Sequence, residues 1–200
     1  MPVRNEIFHH NGVYFITFTC NGWLPLFELA DGYQLVYDWF DKLLKDGNHI
    51  IGYVIMPNHI HAIIAFKEHI QSVNTRIGTG KRFMAYGLVN LLKERQQLNI
   101  LHTLSATVNK TDQGRGKLHH VFKASFDCKE CRTEKFLLQK LNYIHANPCR
   151  GKWHLADSPE NYKHSSAKYY MQEAKGYYSS ITHYKFIETD LARPVNEKGN

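Results

Sequence analysis

The chain has 200 residues, of which 43% are hydrophobic and 13% aromatic, so we expect a folded domain with a sizeable core and not a disordered chain. It carries 25 basic and 18 acidic residues, and this net charge of +7 favours polyanionic partners such as nucleic acid. No apolar run reaches the roughly 20 residues of a membrane helix, and the first residues lack the apolar segment of a signal peptide. We therefore expect a cytoplasmic protein with no membrane partner.

The first third of the chain predicts a strand, a helix and a hairpin. Residues 12–20 are rich in β-branched and aromatic side chains, which is typical of a strand. Within residues 26–47, apolar side chains recur at helical spacing. Two further apolar segments predict strands that Pro57-Asn58 joins through a tight turn: residues 49–56 and residues 59–66.

The middle of the chain predicts a second helix, a loop, a fourth strand and a third helix. Residues 76–98 predict a glycine-broken basic loop that leads into the helix, and its GTGK lacks both the first glycine and the Ser/Thr of a P-loop. Residues 100–118 are polar and predict a loop, and residues 119–130 have the composition of a strand. Apolar side chains at helical spacing predict a helix over 133–148. The order β-α-β-β-α-β-α predicts an α+β fold, a ferredoxin-like or RRM-like antiparallel sheet with an added C-terminal helix.

His59 and His61 lie at alternate positions of the third predicted strand. Side chains alternate across a strand, so the two imidazoles share a face and are close enough to bind one metal ion. For an isolated His-x-His pattern, two half-buried histidines satisfied by hydrogen bonds remain the alternative. This pair opens its strand directly after a turn, where a ligand can reach it from outside.

A third ligand has to come from another element, and the last predicted helix offers one. Tyr143 and Asn147 are four residues apart, so both lie on one face of the helix. The amide oxygen of Asn147 could bind the metal with the phenol of Tyr143 beside it, although a surface or capping residue is the alternative for Asn147. His145 points elsewhere and is not counted as a ligand.

Together, PNHIHAI and YIHANPCRGKW, about eighty residues apart, resemble motifs of the single-tyrosine HUH transposases. The nearest subgroup is the REP-associated tyrosine transposases, which carry a histidine–apolar–histidine strand and a YI-x-x-NP helix. One departure is Cys149-Arg150 after Asn147-Pro148, where relatives usually carry a valine. We assign residues 1–170 to a single HUH domain and residues 171–200 to a tail of unassigned role.

The resemblance implies a metal-dependent endonuclease and strand transferase that acts on single-stranded DNA near hairpins. Tyr143 would attack a phosphodiester, stay joined to the 5′-phosphate and release a 3′-hydroxyl. Mg²⁺ or Mn²⁺, held by His59, His61 and Asn147, would stabilise the developing negative charge. Members of the family include dimers and monomers, so a homodimer and a monomer are both open.

Three basic residues are candidates for DNA contacts. Lys81 and Arg82 lie beside the predicted basic loop, and Lys140 lies one helical turn before Tyr143. Ordinary solvated side chains are the alternative for all three. Cys128 and Cys131 form a CxxC that lacks the second ligand pair of a structural zinc site, so we predict no zinc there.

Two other functions remain open at this point. A non-catalytic module that binds single-stranded nucleic acid would share the predicted fold and the basic charge. A zinc hydrolase would need a carboxylate base beside the histidines, and neither Asp nor Glu flanks His59 or His61.

Overall fold

A four-stranded antiparallel sheet forms the centre of the fold in the computed structural model, which describes residues 10–123, 126–151 and 153–187. The strand order is β2-β3-β1-β4, and every neighbouring pair is antiparallel. The strands are β1 (Gly12–Thr19), β2 (His49–Met56), β3 (His59–Phe66) and β4 (Asp127–Glu130). This arrangement, with helices on the sheet, confirms the predicted α+β fold.

The hairpin of β2 and β3 carries the two histidines. Its strands are joined by the predicted turn at Pro57-Asn58, and every residue of β3 is buried. In the register of β1 against β3, Thr19 pairs with His59 and Thr17 with His61. Thr17 therefore lies beside His61 on the same face of the sheet.

One face of the sheet is covered by helices that lie between β1 and β4 in the chain. They are α1 (Leu26–Ala30), α2 (Gln34–Lys45), α3 (Val73–Glu94) and α4 (Leu98–Ala106), followed by the short α5 (Lys110–Gly114). The helix predicted within residues 26–47 is divided in two, because Asp31 adopts a left-handed conformation between α1 and α2. The α2 side chains Trp39 and Phe40 enter the larger core together with Phe18 of β1.

The predicted glycine-broken loop is wrong, because α3 is already helical from Val73. The side chain of Ser72 caps the helix by accepting from the Thr75 N–H. A Cβ on Gly80 would lie 2.1 Å from Nε1 of Trp39, and a Cβ on Gly87 would lie 2.5 Å from a methyl group of Leu35. The glycines therefore allow α2 and α3 to pack closely, and this tertiary packing outweighs their low helix propensity.

Two other predictions need correction. Residues 100–118 are not one loop, because they contain most of α4, whose Leu101 and Leu104 are buried at helical spacing, and all of α5. The fourth strand is shorter than predicted: β4 begins at Asp127, and Phe122 makes an isolated bridge to Cys20. Residues 124 and 125 of that predicted strand lie outside the described residues.

The other face of the sheet is covered by α6 (Glu134–Ala146), which confirms the predicted third helix. The Thr133 side chain caps its first turn, and a 3-10 turn follows at Asn147–Cys149. Leu137, Leu141 and Ile144 of α6 pack onto the sheet. A Cβ on Gly52 of β2 would lie 2.5 Å from Cδ1 of Leu141, so glycine at this position permits the close approach of the helix.

The outer edge of β2 is paired with residues that follow α6. The N–H of Ile55 donates to the carbonyl of His164 at 2.9 Å, and the N–H of Ser166 donates to the carbonyl of Tyr53 at 3.0 Å. A short helix, α7 (Ala167–Gln172), follows, and the N–H of Thr182 then donates to the carbonyl of Ile50 at 2.8 Å. These hydrogen bonds provide partners for backbone groups of β2 that would otherwise be unpaired at the edge of the sheet. No helix in the described part of the chain is long and apolar enough to cross a bilayer.

Candidate functional site

His59 and His61 lie together under α6, at the end of the sheet where β3 begins. Their ring centroids are 4.7 Å apart and their planes are inclined by 75°. Both side chains are buried, with 9% and 6% of their surface exposed. The predicted shared face is thus observed, and the rings are close enough for both to reach one ion.

Each imidazole is oriented by a neighbouring polar side chain. The Asn58 amide donates through Nδ2 to the carbonyl of Trp23 at 3.3 Å, which orients its Oδ1 towards Nδ1 of His59 at 2.6 Å. An amide oxygen only accepts, so Nδ1 of His59 carries the proton and its Nε2 keeps a lone pair. Nδ1 of His61 lies 2.8 Å from the hydroxyl of Thr17. Metal-binding histidines characteristically have such a partner on the second ring nitrogen.

Burial keeps both imidazoles neutral. It lowers the pKa of His59 to about 4, and a hydrogen bond with the Asn147 side chain opposes part of this shift. Burial lowers the pKa of His61 well below its ordinary value, and the positive charge of a protonated His59 or of Lys140 lowers it further. A neutral imidazole is the form that binds a metal, so both residues are in that form at neutral pH.

Tyr143 projects from α6 over the same site. Its ring centroid lies 5.2 Å from that of His61 in an edge-to-face contact, and 6.2 Å from that of Phe15. The side chain is 46% exposed, in contrast to the buried histidines. A large substrate can therefore reach the phenol from solvent while the ring stays packed at its base.

Asn147 completes the group of predicted residues. It caps the C-terminus of α6, close enough to His59 for its side chain to raise the pKa of that imidazole. Within the described residues no three His, Cys, Asp or Glu side chains converge. The groups that could hold a metal here are the imidazoles of His59 and His61 and the amide oxygen of Asn147. Neutral, oriented donors of this kind fit a divalent ion with open positions, and imidazole also admits Zn²⁺.

His145 points away from this site, as predicted. It is buried, and its Nε2 lies 2.9 Å from the hydroxyl of Ser166. That hydroxyl in turn lies within hydrogen-bond distance of the N–H and the carbonyl of Tyr53. His145 therefore connects α6 to the C-terminal segment along β2.

A structure comparison reveals a protein of the same fold. A REP-associated tyrosine transposase, solved bound to a REP hairpin, superposes on this chain with a TM-score of 0.58 at 17% sequence identity. The superposition covers 83% of this chain and 82% of the other. The chain has the fold of a REP-associated tyrosine transposase. The family resemblance of the two sequence motifs and the similarity of the folds thus agree.

A second solved structure and two sequence comparisons were also considered. A candidate transposase from Deinococcus radiodurans is less similar, with a TM-score of 0.36 at 15% identity and with 77% of this chain and 99% of that chain covered. No family model matches the sequence, and no curated protein matches it.

The three predicted DNA-contact residues occupy different places around the site. Lys140 is at the site itself, with its amine 5.0 Å from the ring centroid of Phe15 and 5.8 Å from that of Tyr143. Lys81 extends from α3 to the backbone carbonyl of Lys123. Arg82 is exposed on α3.

Several residues of the site were not predicted from the sequence. Thr17 and Asn58 orient the imidazoles, Phe15 stacks on His61 with centroids 5.4 Å apart, and Trp23 approaches His59 at 6.2 Å. Strand alternation offered a signal for Phe15 and Thr17, since both lie on the α6 face of β1. The sequence offers no comparable signal for Trp23, which is brought to the site by a turn.

Proposed function

We propose that this protein is a divalent-metal-dependent single-stranded DNA endonuclease and strand transferase that works through a covalent 5′-phosphotyrosine intermediate. The observation that carries the proposal is the position of Tyr143. Its half-exposed side chain projects from a helix, and its ring centroid lies 5.2 Å from that of His61, one of two neutral imidazoles. A nucleophile accessible to a polymer beside a potential metal site suits phosphoryl transfer.

In the proposed reaction the phenol oxygen of Tyr143 attacks a backbone phosphorus. A new P–O bond forms to the tyrosine, the bond to the 3′-oxygen breaks, and that oxygen takes up a proton to become a free 3′-hydroxyl. A phenol with an ordinary pKa of about 10 is a weak nucleophile at neutral pH. When bound, a divalent ion at His59, His61 and Asn147 would act as a Lewis acid on the phosphate.

Two features of the site assist this step. The amine of Lys140 lies near the Tyr143 ring and brings positive charge to the place where a phosphate would sit. The contact of the Tyr143 ring with His61 and Phe15 limits its motion, so the hydroxyl is held in a narrow range of positions.

The covalent intermediate preserves the energy of the cleaved bond. A 3′-hydroxyl from the same or another strand can attack the phosphotyrosine, which restores the tyrosine and joins the two DNA ends without ATP. We propose that this reverse step makes the enzyme a strand transferase of the transposase type.

The proposed substrate is an unpaired segment next to a DNA hairpin. A paired backbone is held in a helical path, whereas an unpaired strand can bend between the sheet and α6. The net charge of +7, with Lys81, Arg82 and Lys140 as contacts, favours binding to phosphates without selecting a sequence. The transposase of the same fold was solved with a REP hairpin, which supports a hairpin as the feature that is recognised.

The test uses one labelled oligonucleotide in two forms, one with a single-stranded segment beside a hairpin and one fully paired, incubated with Mn²⁺. We expect a protein–DNA adduct that survives denaturation with the first substrate and little with the second at equal occupancy. A free 5′-phosphate product would indicate a hydrolase, and retention of intact DNA would indicate a binding module. Efficient cutting of the duplex would contradict the proposed mechanism.

A further inference from the structure

We propose that Trp23 is a stacking platform for one unpaired base next to the cleaved phosphate, and so a positioning and specificity-determining residue. The inference rests on the proposed function in one respect, since it takes single-stranded DNA as the ligand. It assigns a base-contacting role to a residue outside the predicted catalytic group.

The placement of the Trp23 side chain is the first observation. Its ring centroid lies 6.2 Å from that of His59, with the planes inclined by 80°, and the side chain is 54% exposed. The other two tryptophans differ, because Trp39 is 4% exposed in the core and Trp153 is partly buried beside the core under α6. Trp23 thus presents a large aromatic surface at the rim of the site.

The backbone at Trp23 is held in an uncommon conformation. Trp23 has a φ of 57°, directly after Gly22 with a φ of 61°. A bulky residue with positive φ is strained, and such strain persists only where the surroundings fix it. The Trp23 carbonyl accepts from Asn58, the same side chain that orients His59, and its N–H donates to the carbonyl of Cys20 at 3.1 Å. The platform and the imidazole are therefore positioned by one residue.

One face of the indole is covered by a cation. The amine of Lys123 lies 4.1 Å from the ring centroid, and the N–H of Lys123 donates to the carbonyl of Thr19 at 2.9 Å. The Lys123 carbonyl in turn accepts from the Lys81 amine. Lys123 therefore places a positive charge on one face of a ring that is largely open to solvent, and Lys81 contacts the backbone of the same residue.

These features match the way proteins bind unpaired nucleic acid. An aromatic face stacks on a base, and neighbouring lysines attract the adjoining phosphates. Stacking requires a base that is free of its own stack, so it selects single strands over duplexes. A base held on Trp23 would fix the register of the strand relative to His59, and hence which phosphate lies beneath Tyr143.

The test measures binding in a Tyr143→Phe background, so that no cleavage occurs. A fluorescent hairpin oligonucleotide is prepared with one abasic site at each successive position of its single-stranded segment. We expect Trp23→Ala to weaken binding of the intact oligonucleotide by about 5- to 150-fold, and Trp23→Phe to retain most of the affinity. Phe186→Ala is the matched control, because Phe186 is exposed and follows the segment that pairs with Ile50 at the start of β2, the end of the hairpin away from His59.

The decisive result is the coupling between protein and DNA changes. At one position of the single-stranded segment, the abasic site should itself weaken binding. With that oligonucleotide, the protein that keeps Trp23 and the Trp23→Ala variant should bind with the same affinity. Additive losses of affinity at every position, or a loss in Trp23→Ala no greater than that in Phe186→Ala, would overturn the proposal. A 2-aminopurine at the coupled position should be quenched by the protein with Trp23 and not by the Ala variant, which gives a readout independent of affinity.

The two proposals fail in distinguishable ways. If the wild-type chain forms no adduct but the coupling is present, the cleavage mechanism fails and the platform stands. If the adduct forms and no position is coupled, the platform alone fails. If the oligonucleotide does not bind at all, both are contradicted.

Discussion

At the scale of single residues, the site depends on two imidazoles that burial keeps neutral and that polar neighbours orient. His59 is fixed by Asn58, and His61 lies against Thr17. The desolvation that lowers the pKa of both histidines leaves the lone pairs available to a metal at neutral pH without a proton having to leave. The proposed metal site is therefore preorganised in the chain.

This arrangement predicts unequal effects of removing each proposed ligand. His61→Ala should lower Mn²⁺ affinity by more than about tenfold, whereas Asn147→Ala should lower it less, because water can replace a neutral oxygen ligand. Isothermal calorimetry of the two variants measures this directly. His102→Ala, an exposed residue of α4, is the control and should leave the affinity unchanged. Unchanged Mn²⁺ affinity in His61→Ala would refute the metal site.

At the scale of elements, the site exists because α6 lies close to β2 and β3. The absence of a side chain at Gly52 permits this approach, and Leu141 of α6 occupies the space. Tyr143 and Asn147 are carried by the same helix, whereas His59 and His61 are carried by the sheet. Any displacement of α6 therefore separates the proposed nucleophile from the proposed metal ligands.

Gly52→Ala tests this dependence on packing. The new methyl group would meet Leu141 at 2.5 Å, so we expect a loss of about 1–3 kcal/mol in the free energy of unfolding, with adduct formation reduced more than DNA binding. Leu141→Val in the same chain should restore part of both, since it removes the clashing end of the side chain. Gly78→Ala is the control, because a Cβ there meets nothing within 4 Å. If Gly52→Ala leaves unfolding and adduct formation as they were, the proposed role of the close contact is wrong.

At the scale of the whole molecule, buried histidines couple stability to pH. Burial lowers the pKa of His145 to about 4 from its ordinary value near 6.5. Between those values the unfolded chain binds a proton that the folded chain does not, so the stabilisation is complete above about pH 6.5 and is lost as the pH falls towards 4. The pKa of His164 is also lowered to about 4, with burial the main cause, and it acts in the same direction.

We expect the free energy of unfolding to fall as the pH is lowered from 7 to 4.5, with His145 contributing up to roughly 3 kcal/mol over the full range. Urea unfolding at several pH values measures the slope. His145→Gln keeps a donor for Ser166 but does not titrate, so its slope should be shallower than that of the wild type. An identical slope in the two proteins would show that His145 does not carry this dependence.

Sequence patterns were sufficient to predict those helices and strands that are determined by their own residues. Strand alternation predicted the shared face of His59 and His61, and helical spacing predicted the helix that carries Tyr143 and ends at Asn147. The first turns of α3 could not be predicted in this way. Gly80 lowers helix propensity locally, and its value for packing depends on Trp39, which is distant in the sequence.

Dependence on residues distant in the sequence also explains why Asn58 and Thr17 were not predicted as parts of the site. Asn58 looks like an ordinary turn residue until its amide is seen between the Trp23 carbonyl and the His59 ring. Thr17 becomes relevant only through the register of β1 against β3. Contacts of this kind depend on how separate elements meet, and periodicity within one element does not record them.

The central claim is that Tyr143 is the nucleophile, and the most direct test is to identify the residue that carries DNA after cleavage. The wild-type chain is incubated with a hairpin-flanked single strand and Mn²⁺, digested with a protease, and the DNA-linked peptide is sequenced by mass spectrometry. We expect a 5′-phosphate on Tyr143, and we expect Tyr143→Phe to form no adduct while it folds and binds DNA nearly as the wild type does, because the packed ring is retained. DNA attached to another residue, or normal adduct formation by Tyr143→Phe, would contradict the account.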